Sequence, residues 1–251
     1  MSIHWAGLRD MLHKRNPFVD VVFGRSACVG QDVLRLRQSK TGENIRFINL
    51  QKGRLDLFFD WLDGSTAPNP ELIKPYIIRP DVFGLIRQQR SIKWLKYSNP
   101  KYLFIDLYSE LTDQKFTHRK EGWSFACHYS DINHSGDFDQ AFASDGLMPK
   151  EDFEFFYDKL FTWFNINYPA RPIIAVHYSA RYDERSEFKE RVACQNQALR
   201  ELAPKYPNLI NLELTEEDFL VFPYHYSDKT LAKNLDLWSR LEGLTKGSDE
   251  L

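Results

Sequence analysis

A serine and a cysteine that could act as nucleophiles follow the first apolar run of the chain. Residues 19–23 form this run, Gly24 ends it, and Ser26 and Cys28 come next. This pattern predicts a β-strand whose carboxyl end delivers a nucleophile to the edge of an α/β sheet. Residues 31–38 are predicted to form the following helix, and the backbone N–H groups at a helix N-terminus can stabilise a developing oxyanion. The stretch therefore suggests acyl chemistry.

A histidine near the other end of the chain could supply the base. His225 follows the last predicted strand, residues 209–212, and precedes a helical segment over 231–241. A neutral imidazole accepts and returns a proton near neutral pH because its unperturbed pKa is about 6.5. Ligands of an open α/β sheet bind at the carboxyl ends of its strands. We therefore expect Ser26 and His225 to meet at that edge as a catalytic dyad, with His225 in a loop.

Strand-like and helical patterns alternate along the chain. This alternation predicts an α/β fold with a mostly parallel sheet and helices on both of its faces. A chain of 251 residues is long enough for one sizeable domain, so we expect residues 1–251 to form a single unit. The predicted strands are 19–23, 45–49, 102–107, 172–176 and 209–212, and the longer predicted helices are 81–95, 149–165 and 184–202.

Composition argues against several functional classes. The formal net charge is only −2, so we expect no nucleic-acid partner. Cys28, Cys127 and Cys194 lack the C-x-x-C spacing of a thiolate zinc site and are too few for a disulfide framework. No window reaches the about 18 apolar residues of a membrane helix, and residues 1–17 lack the apolar centre of a secretory signal. We therefore expect a cytoplasmic protein without a membrane span.

The segment over residues 109–147 differs from the rest of the chain. It is rich in His, Asp, Ser and Gly and shows little periodicity, so we expect a long irregular lid or binding segment. Residues 128–139 contain two histidines and three aspartates, and these residue types suggest a metal site. Their spacing, however, is not that of the usual zinc or calcium motifs. The same segment suits a sugar site, since Trp123, Phe125 and Tyr129 could stack on pyranose rings while His and Asp bind hydroxyl groups.

Three short motifs resemble the SGNH, or GDSL-like, hydrolases, and among them a bacterial group associated with capsule and surface-polysaccharide loci. They are residues 24–32, residues 104–107 and residues 225–227. The resemblance implies a three-layer α/β/α sandwich with a flavodoxin-like sheet. It also implies a Ser/His esterase or O-acyltransferase that acts on acyl groups carried by sugars. A sugar or polysaccharide substrate and, for transfer, an acyl donor are implied, whereas no metal or organic cofactor is.

The opening motif departs from the family pattern. That group usually begins Gly-Ser-Cys-Val, followed closely by Asp, and alignment on Cys28-Val29 places Ala27 in the nucleophile position. Three interpretations stay open at this point. The turn is remodelled to present Ser26, or Cys28 has taken a role, or the site is inactive.

The later motifs depart from the pattern too. Phe222 stands three residues before His225, where the superfamily tends to have Asp. His225 then needs another orienting group, for which the candidates are a backbone carbonyl, Glu217, Asp218 and Asp228. The Gly-x-Asn-Asp block that usually supplies an oxyanion-hole asparagine is absent, and residues 106–110 stand at the corresponding strand end.

The candidate site therefore centres on Ser26, His225 and Asp106. Asp106 and Glu110 could orient a base or a substrate hydroxyl group. The residues expected to bind substrate lie in the turn around Ser26, in the polar segment and after later strands; they are Gly24, Arg25, Ala27, Cys28, His128, His177 and Tyr226.

Each candidate also has a purely structural interpretation. Ser26 is a favoured helix-capping residue, Cys28 could be a small buried hydrophobe, His225 could pack among aromatic neighbours, and Asp106 could cap a turn.

Two alternative functions stay open for the chain as a whole. One is an inactive scaffold of the same fold that binds a glycan or a partner enzyme. The other is an accessory transferase that binds a metal in residues 128–139.

Overall fold

The described strands form a central parallel sheet. A computed structural model describes residues 20–63, 67–92, 95, 98–106, 108–179, 183–213, 219–221, 225–226, 235–236 and 238–239. The strands of the sheet are β1 (Asp20–Arg25), β2 (Ile45–Asn49), β3 (Tyr102–Ile105), β7 (Ile173–Val176) and β8 (Leu209–Leu212). Their order is β2-β1-β3-β7-β8, and each neighbouring pair is parallel. This is the flavodoxin-like order, so the predicted three-layer sandwich is confirmed.

Helices flank the sheet as the alternating pattern predicts. The helix predicted over 31–38 begins earlier, at Cys28, and the one predicted over 81–95 begins with Pro80 in its first turn, where the missing N–H of proline costs nothing. The segment predicted over 231–241 lies mostly outside the described residues. The helices are α1 (Cys28–Thr41), α2 (Leu55–Asp63), α3 (Pro70–Ile73), α4 (Pro80–Ser91), α5 (Tyr108–Thr112), α6 (Gly136–Ala141), α7 (Phe153–Asn167) and α8 (Ser186–Leu202).

The two faces of the sheet bury different apolar clusters. Alternating strand residues such as Phe23 and Ile105 pack with α2, α7 and α8 on one face. Their neighbours in sequence, such as Val22 and Phe104, pack with α1 and Trp238 on the other. This alternation follows from the two-residue period of a strand. The same alternation assigns each residue at the carboxyl end of β1 to one face of the sheet.

The expectation of an irregular segment over 109–147 is wrong. The segment forms α5 and α6 and an antiparallel sheet of β4 (Asp113–His118), β5 (Ser124–His128) and β6 (Phe142–Gly146), in the order β5-β4-β6. This small sheet has its own apolar cluster, which includes Phe116, Phe125, Phe138 and Phe142. A lid or binding role for the segment stays a prediction.

A two-stranded ribbon follows the central sheet. Strands β9 (Phe219–Val221) and β10 (His225–Tyr226) pair antiparallel, and β10 lies beside α1. The main chain of His225 therefore lies in a strand and not in the predicted loop. The side chains of both β10 residues lie outside the described part of the structure. Among the described residues, no helix combines the length and apolarity needed to cross a membrane.

A buried lysine ties the small sheet to the central sheet. Lys52 lies in the turn after β2, and its Nζ is 3.2 Å from Asp113 Oδ1 and 2.9 Å from Asp131 Oδ2. Burial alone would lower the pKa of Lys52, but the two carboxylates outweigh burial and raise it. A charged ammonium group thus joins the turn after β2 to two parts of the small-sheet segment.

Replacing Lys52 by Met should lower the free energy of unfolding by about 3 to 5 kcal/mol, because buried Asp113 loses its lysine partner and Asp131 keeps only Arg79. Urea unfolding near neutral pH measures this loss. Lys115 of β4 provides the control, since it lies 3.3 Å from Asp145 in a more exposed pair. Lys115→Met should cost less than about 1 kcal/mol. Equal losses in the two variants would contradict the argument from buried charge.

Candidate active site

The carboxyl ends of β1 and β3 form the topological switch point of the sheet. The chain passes from β1 to β2 on one side, whereas β3 lies on the other side of β1. Open α/β sheets bind ligands at such a point. Ser26 and Ala27 follow β1 there, and Asp106 follows β3. The structure therefore brings two of the three predicted catalytic residues together.

Ser26 is held against Asp106. Its Oγ lies 3.2 Å from Asp106 Oδ2 and 3.1 Å from the carbonyl oxygen of Ala27, and it can donate its single proton to either. Only 1% of the residue is exposed. The N-cap residue of α1 is Ala27, so the structural interpretation of Ser26 as the helix cap is wrong.

Asp106 does the capping instead. Its Oδ2 accepts hydrogen bonds from the backbone N–H groups of Ala27, at 2.6 Å, and Gly30, at 3.1 Å. Its Oδ1 accepts one from the N–H of Tyr108, at 3.3 Å. Ala27 has no polar side chain, and the carboxylate takes the place of a capping group at the positive end of the helix dipole.

The burial of Asp106 makes its proton affinity unusual. Desolvation raises the pKa of this carboxyl group to about 6, against the opposing effect of hydrogen bonds from Gly30, Tyr108, Ala27 and Ser26. The group is therefore mainly ionised near neutral pH, yet it gains a proton under only mildly acidic conditions. Such a carboxylate can accept a proton from a neighbouring hydroxyl group in a reaction.

Sequence reasoning missed two residues that shape this site. Asn49, the last residue of β2, accepts a hydrogen bond from the Ser26 N–H and donates one to the Ser26 carbonyl. Gly30 leaves room for the serine, because a Cβ at this position would collide with Ser26 Oγ and lie 2.7 Å from the Phe104 ring. A polar residue at the end of the strand next to β1 was the available signal for Asn49. No sequence signal marked Gly30, because its role depends on the path of α1 past Ser26.

Two residues of the turn that are predicted to bind substrate, Gly24 and Arg25, have other contacts. Gly24 is buried, and a Cβ there would collide with the Phe47 ring, which gives a packing reason for glycine. The side chain of Arg25 is buried and forms an ion pair with Glu110. The main chain of Cys28 begins α1, but its side chain lies outside the described part of the structure. Substrate contact by these residues stays a prediction.

The other predicted binding residues are distributed over several elements. His177 follows β7 at the same edge of the sheet as Ser26, and burial lowers the pKa of its ring. His128 ends β5, and its Nδ1 lies 2.7 Å from Ser130 Oγ and accepts a bond from the Ser130 N–H. Trp123 and Phe125 are buried in the small sheet, so the expectation that they stack on sugars is wrong.

Residues 128–139, all of them described, do not supply the ligands that the alternative metal site needs. Among the described residues, which include all of 128–139, no three His, Cys, Asp or Glu side chains are arranged to hold a metal ion. Asp131 instead contacts Lys52 and Arg79, through Oδ2 and Oδ1.

Comparisons with known proteins assign no family. No protein-family model matches the chain, and no curated protein matches it. One solved structure similar to it is an acetyl xylan esterase, Est2A, from the rumen bacterium Butyrivibrio proteoclasticus. The match has 9% sequence identity and a TM-score of 0.40, and it covers 92% of this chain and 64% of the esterase. This chain thus spans less than two thirds of that esterase, and the likeness is too low to assign an activity.

Gly30→Ala should displace Ser26 Oγ and lower the free energy of unfolding by about 1 to 3 kcal/mol, because a methyl group enters a filled space. Gly84 is the matched control, a helical glycine of α4 where an added methyl group would have no atom within 4 Å. Gly84→Ala should raise stability by up to about 1 kcal/mol. Urea unfolding of both variants is the measurement, and equal stabilisation in both would show that Gly30 is not crowded.

Asp106→Asn should remove a pH-dependent part of the stability. The folded-state pKa of Asp106, about 6, lies above the unfolded value of about 3.9, so the folded protein binds the extra proton between these values. Wild-type stability should therefore fall as pH rises through this window, by about 3 kcal/mol from this group. The wild-type advantage over Asp106→Asn should shrink by this amount in urea unfolding between about pH 4 and pH 6. A constant or growing advantage would contradict the assignment.

Proposed function

We propose that this chain hydrolyses or transfers small acyl groups, with Ser26 as the nucleophile and Asp106 as the group that accepts its proton. The observation that carries the proposal is the 3.2 Å contact between Ser26 Oγ and Asp106 Oδ2 at the switch point of the sheet. A nucleophile within hydrogen-bond reach of a base is the arrangement that covalent catalysis requires. Sugar-bound acyl groups in cytoplasmic surface-polysaccharide metabolism are the proposed substrates.

The first step forms an acyl-enzyme. Ser26 Oγ bonds to the ester carbonyl carbon while its proton passes to Asp106 Oδ2, and the carbonyl oxygen becomes an oxyanion. The C–O bond to the leaving alcohol then breaks, and the alcohol takes the proton from Asp106. Water or a sugar hydroxyl group then attacks the acyl-enzyme, and the steps of acylation run in reverse. Attack by water gives hydrolysis, and attack by a sugar hydroxyl group gives transfer.

The charge balance of this step suits a buried site. Asp106 becomes neutral as the oxyanion develops, so the site gains no net charge. The N–H groups of Ala27 and Gly30 donate to Asp106 Oδ2 in the resting state. They bind a neutral Asp106 less strongly, and we propose them as donors to the new negative charge.

His225 is the second candidate for the base. The main chain of β10 lies beside α1, the helix that begins next to Ser26. If His225 accepts the proton, Asp106 keeps its charge throughout and serves to hold Ser26 in place. Comparison of Asp106→Asn with His225→Gln separates the two roles, because loss of the true base costs about 100- to 10,000-fold in kcat.

A binding scaffold is the other candidate function. Ser26 is only 1% exposed, and Asp106 already occupies the donors at the start of α1. Both observations favour a site without catalysis, as does the presence of Ala27 in the nucleophile position of the motif.

Labelling with a fluorophosphonate probe, together with p-nitrophenyl acetate hydrolysis, tests the proposal. The wild type should be labelled and active, and Ser26→Ala should lose both properties because no hydroxyl group remains at the switch point. Ser98→Ala is the matched control, since Ser98 Oγ also donates to a main-chain carbonyl, that of Leu95, but precedes β3 and so lies away from the carboxyl ends of the strands. This variant should keep both properties.

Two outcomes contradict the proposal. Labelling that appears only in Ala27→Ser identifies position 27 as the nucleophile position of a disabled site. A folded wild type that is neither labelled nor active, with every variant equally silent, favours the binding scaffold.

A further inference from the structure

The side chain of Asn49 holds the main chain of Ser26 from both sides. Its Oδ1 lies 3.0 Å from the Ser26 N–H nitrogen, and its Nδ2 lies 2.8 Å from the Ser26 carbonyl oxygen. Asn49 is paired with Gly24 in the parallel ladder, so its amide reaches two residues further along the neighbouring chain. Strand β1 ends at Arg25, and Ser26 lies just beyond it. The Asn49 amide therefore continues the contacts between β2 and this segment one residue past the end of β1.

Only an amide satisfies both contacts. The Ser26 N–H needs an acceptor and the Ser26 carbonyl needs a donor, and an asparagine side chain offers one of each. Aspartate would keep the acceptor but would place a second oxygen against the carbonyl. Alanine would provide neither group.

Asn49 is itself held in place by the residues that follow it. The N–H of Leu50 donates to the Gly24 carbonyl at 2.8 Å. The Gln51 carbonyl accepts a bond from Ser109 Oγ at 2.5 Å, and the Lys52 carbonyl accepts one from Gln89 Nε2 at 2.6 Å. Because these contacts come from β1, α5 and α4, the main chain that carries Asn49 is fixed before any ligand binds.

We propose that Asn49 is a positioning residue that holds Ser26 Oγ in line with Asp106 for the proposed reaction. This inference rests on the proposed function, and Asn49 acts only through Ser26. The Ser26 Oγ to Asp106 contact of 3.2 Å depends on the backbone position of residue 26, which the two amide bonds fix. A displacement of about 1 Å at a reacting atom can cost about 100-fold in rate.

Asn49→Ala and Asn49→Asp test the proposal, with Asn208→Ala as the matched control. Asn208 also uses its amide to bind main chain, donating to the Arg171 carbonyl at 2.6 Å. It directly precedes β8 and so lies at the opposite edge of the sheet from Ser26. The measurements are kcat and KM with p-nitrophenyl acetate, and hydrogen exchange of the Ser26 amide by NMR.

In Asn49→Ala, kcat should fall about 10- to 100-fold with KM changed less than about twofold, and the Ser26 amide should exchange faster. In Asn49→Asp, the Ser26 amide should stay protected while kcat still falls, because only the bond to the carbonyl is lost. Asn208→Ala should reduce thermal stability and leave kcat and Ser26 exchange unchanged.

The exchange measurement separates this inference from the proposed function. If the wild type has no esterase activity, the proposed function fails. Faster exchange of the Ser26 amide in Asn49→Ala still supports the inference that Asn49 holds the main chain of Ser26. An unchanged Ser26 exchange rate in Asn49→Ala overturns the inference. Retention of wild-type kcat in an active Asn49→Ala variant overturns it as well.

Discussion

The carboxylate of Asp106 is the group on which the centre of this structure depends. It joins the end of β3 to the first turn of α1, and it accepts hydrogen bonds from two of the N–H groups at the start of this helix. Burying a carboxylate is costly unless such donors surround it. Here the donors of Ala27 and Gly30 and the positive end of the helix dipole offset part of that cost. The capping of α1 and the proposed transfer of the Ser26 proton therefore fall on the same oxygen atom, Oδ2.

A second set of contacts links this centre to the small antiparallel sheet. Asn49, which holds Ser26, ends β2. The turn that follows contains Lys52, which contacts Asp113 and Asp131. Arg54 then donates to the Gly146 carbonyl at 2.5 Å, at the end of β6. A few consecutive residues thus connect the switch point with a sheet that has a separate apolar cluster. The segment 49–54 thus contacts both Ser26 and residues 113–146.

The strands of the central sheet were predictable because buried parallel strands are continuous apolar runs. Strands β2 and β8 have the predicted bounds, 45–49 and 209–212. The small sheet was missed because β4 carries Gln114, Lys115 and Thr117 around a single buried phenylalanine. Its stability comes from partners on β5, β6 and α6 that no local pattern reveals. Ser26 and Asp106 could be placed at one edge by strand order, whereas the roles of Asn49 and Gly30 depend on register and on the path of α1.

The charge of Asp106 also bears on the class of ligand that suits this switch point. A helix N-terminus at the end of the first strand is a common phosphate site in α/β folds, because its N–H groups and dipole attract an anion. In this chain the carboxylate of Asp106 already takes the N–H groups of Ala27 and Gly30. A phosphate placed there would meet a like charge in a buried setting, which is unfavourable. A neutral ester avoids that repulsion, and in the proposed reaction the transfer of the Ser26 proton to Asp106 would remove the negative charge of the carboxylate as the oxyanion forms. The electrostatics of the site therefore favour a neutral ligand, such as the proposed ester, over a phosphate.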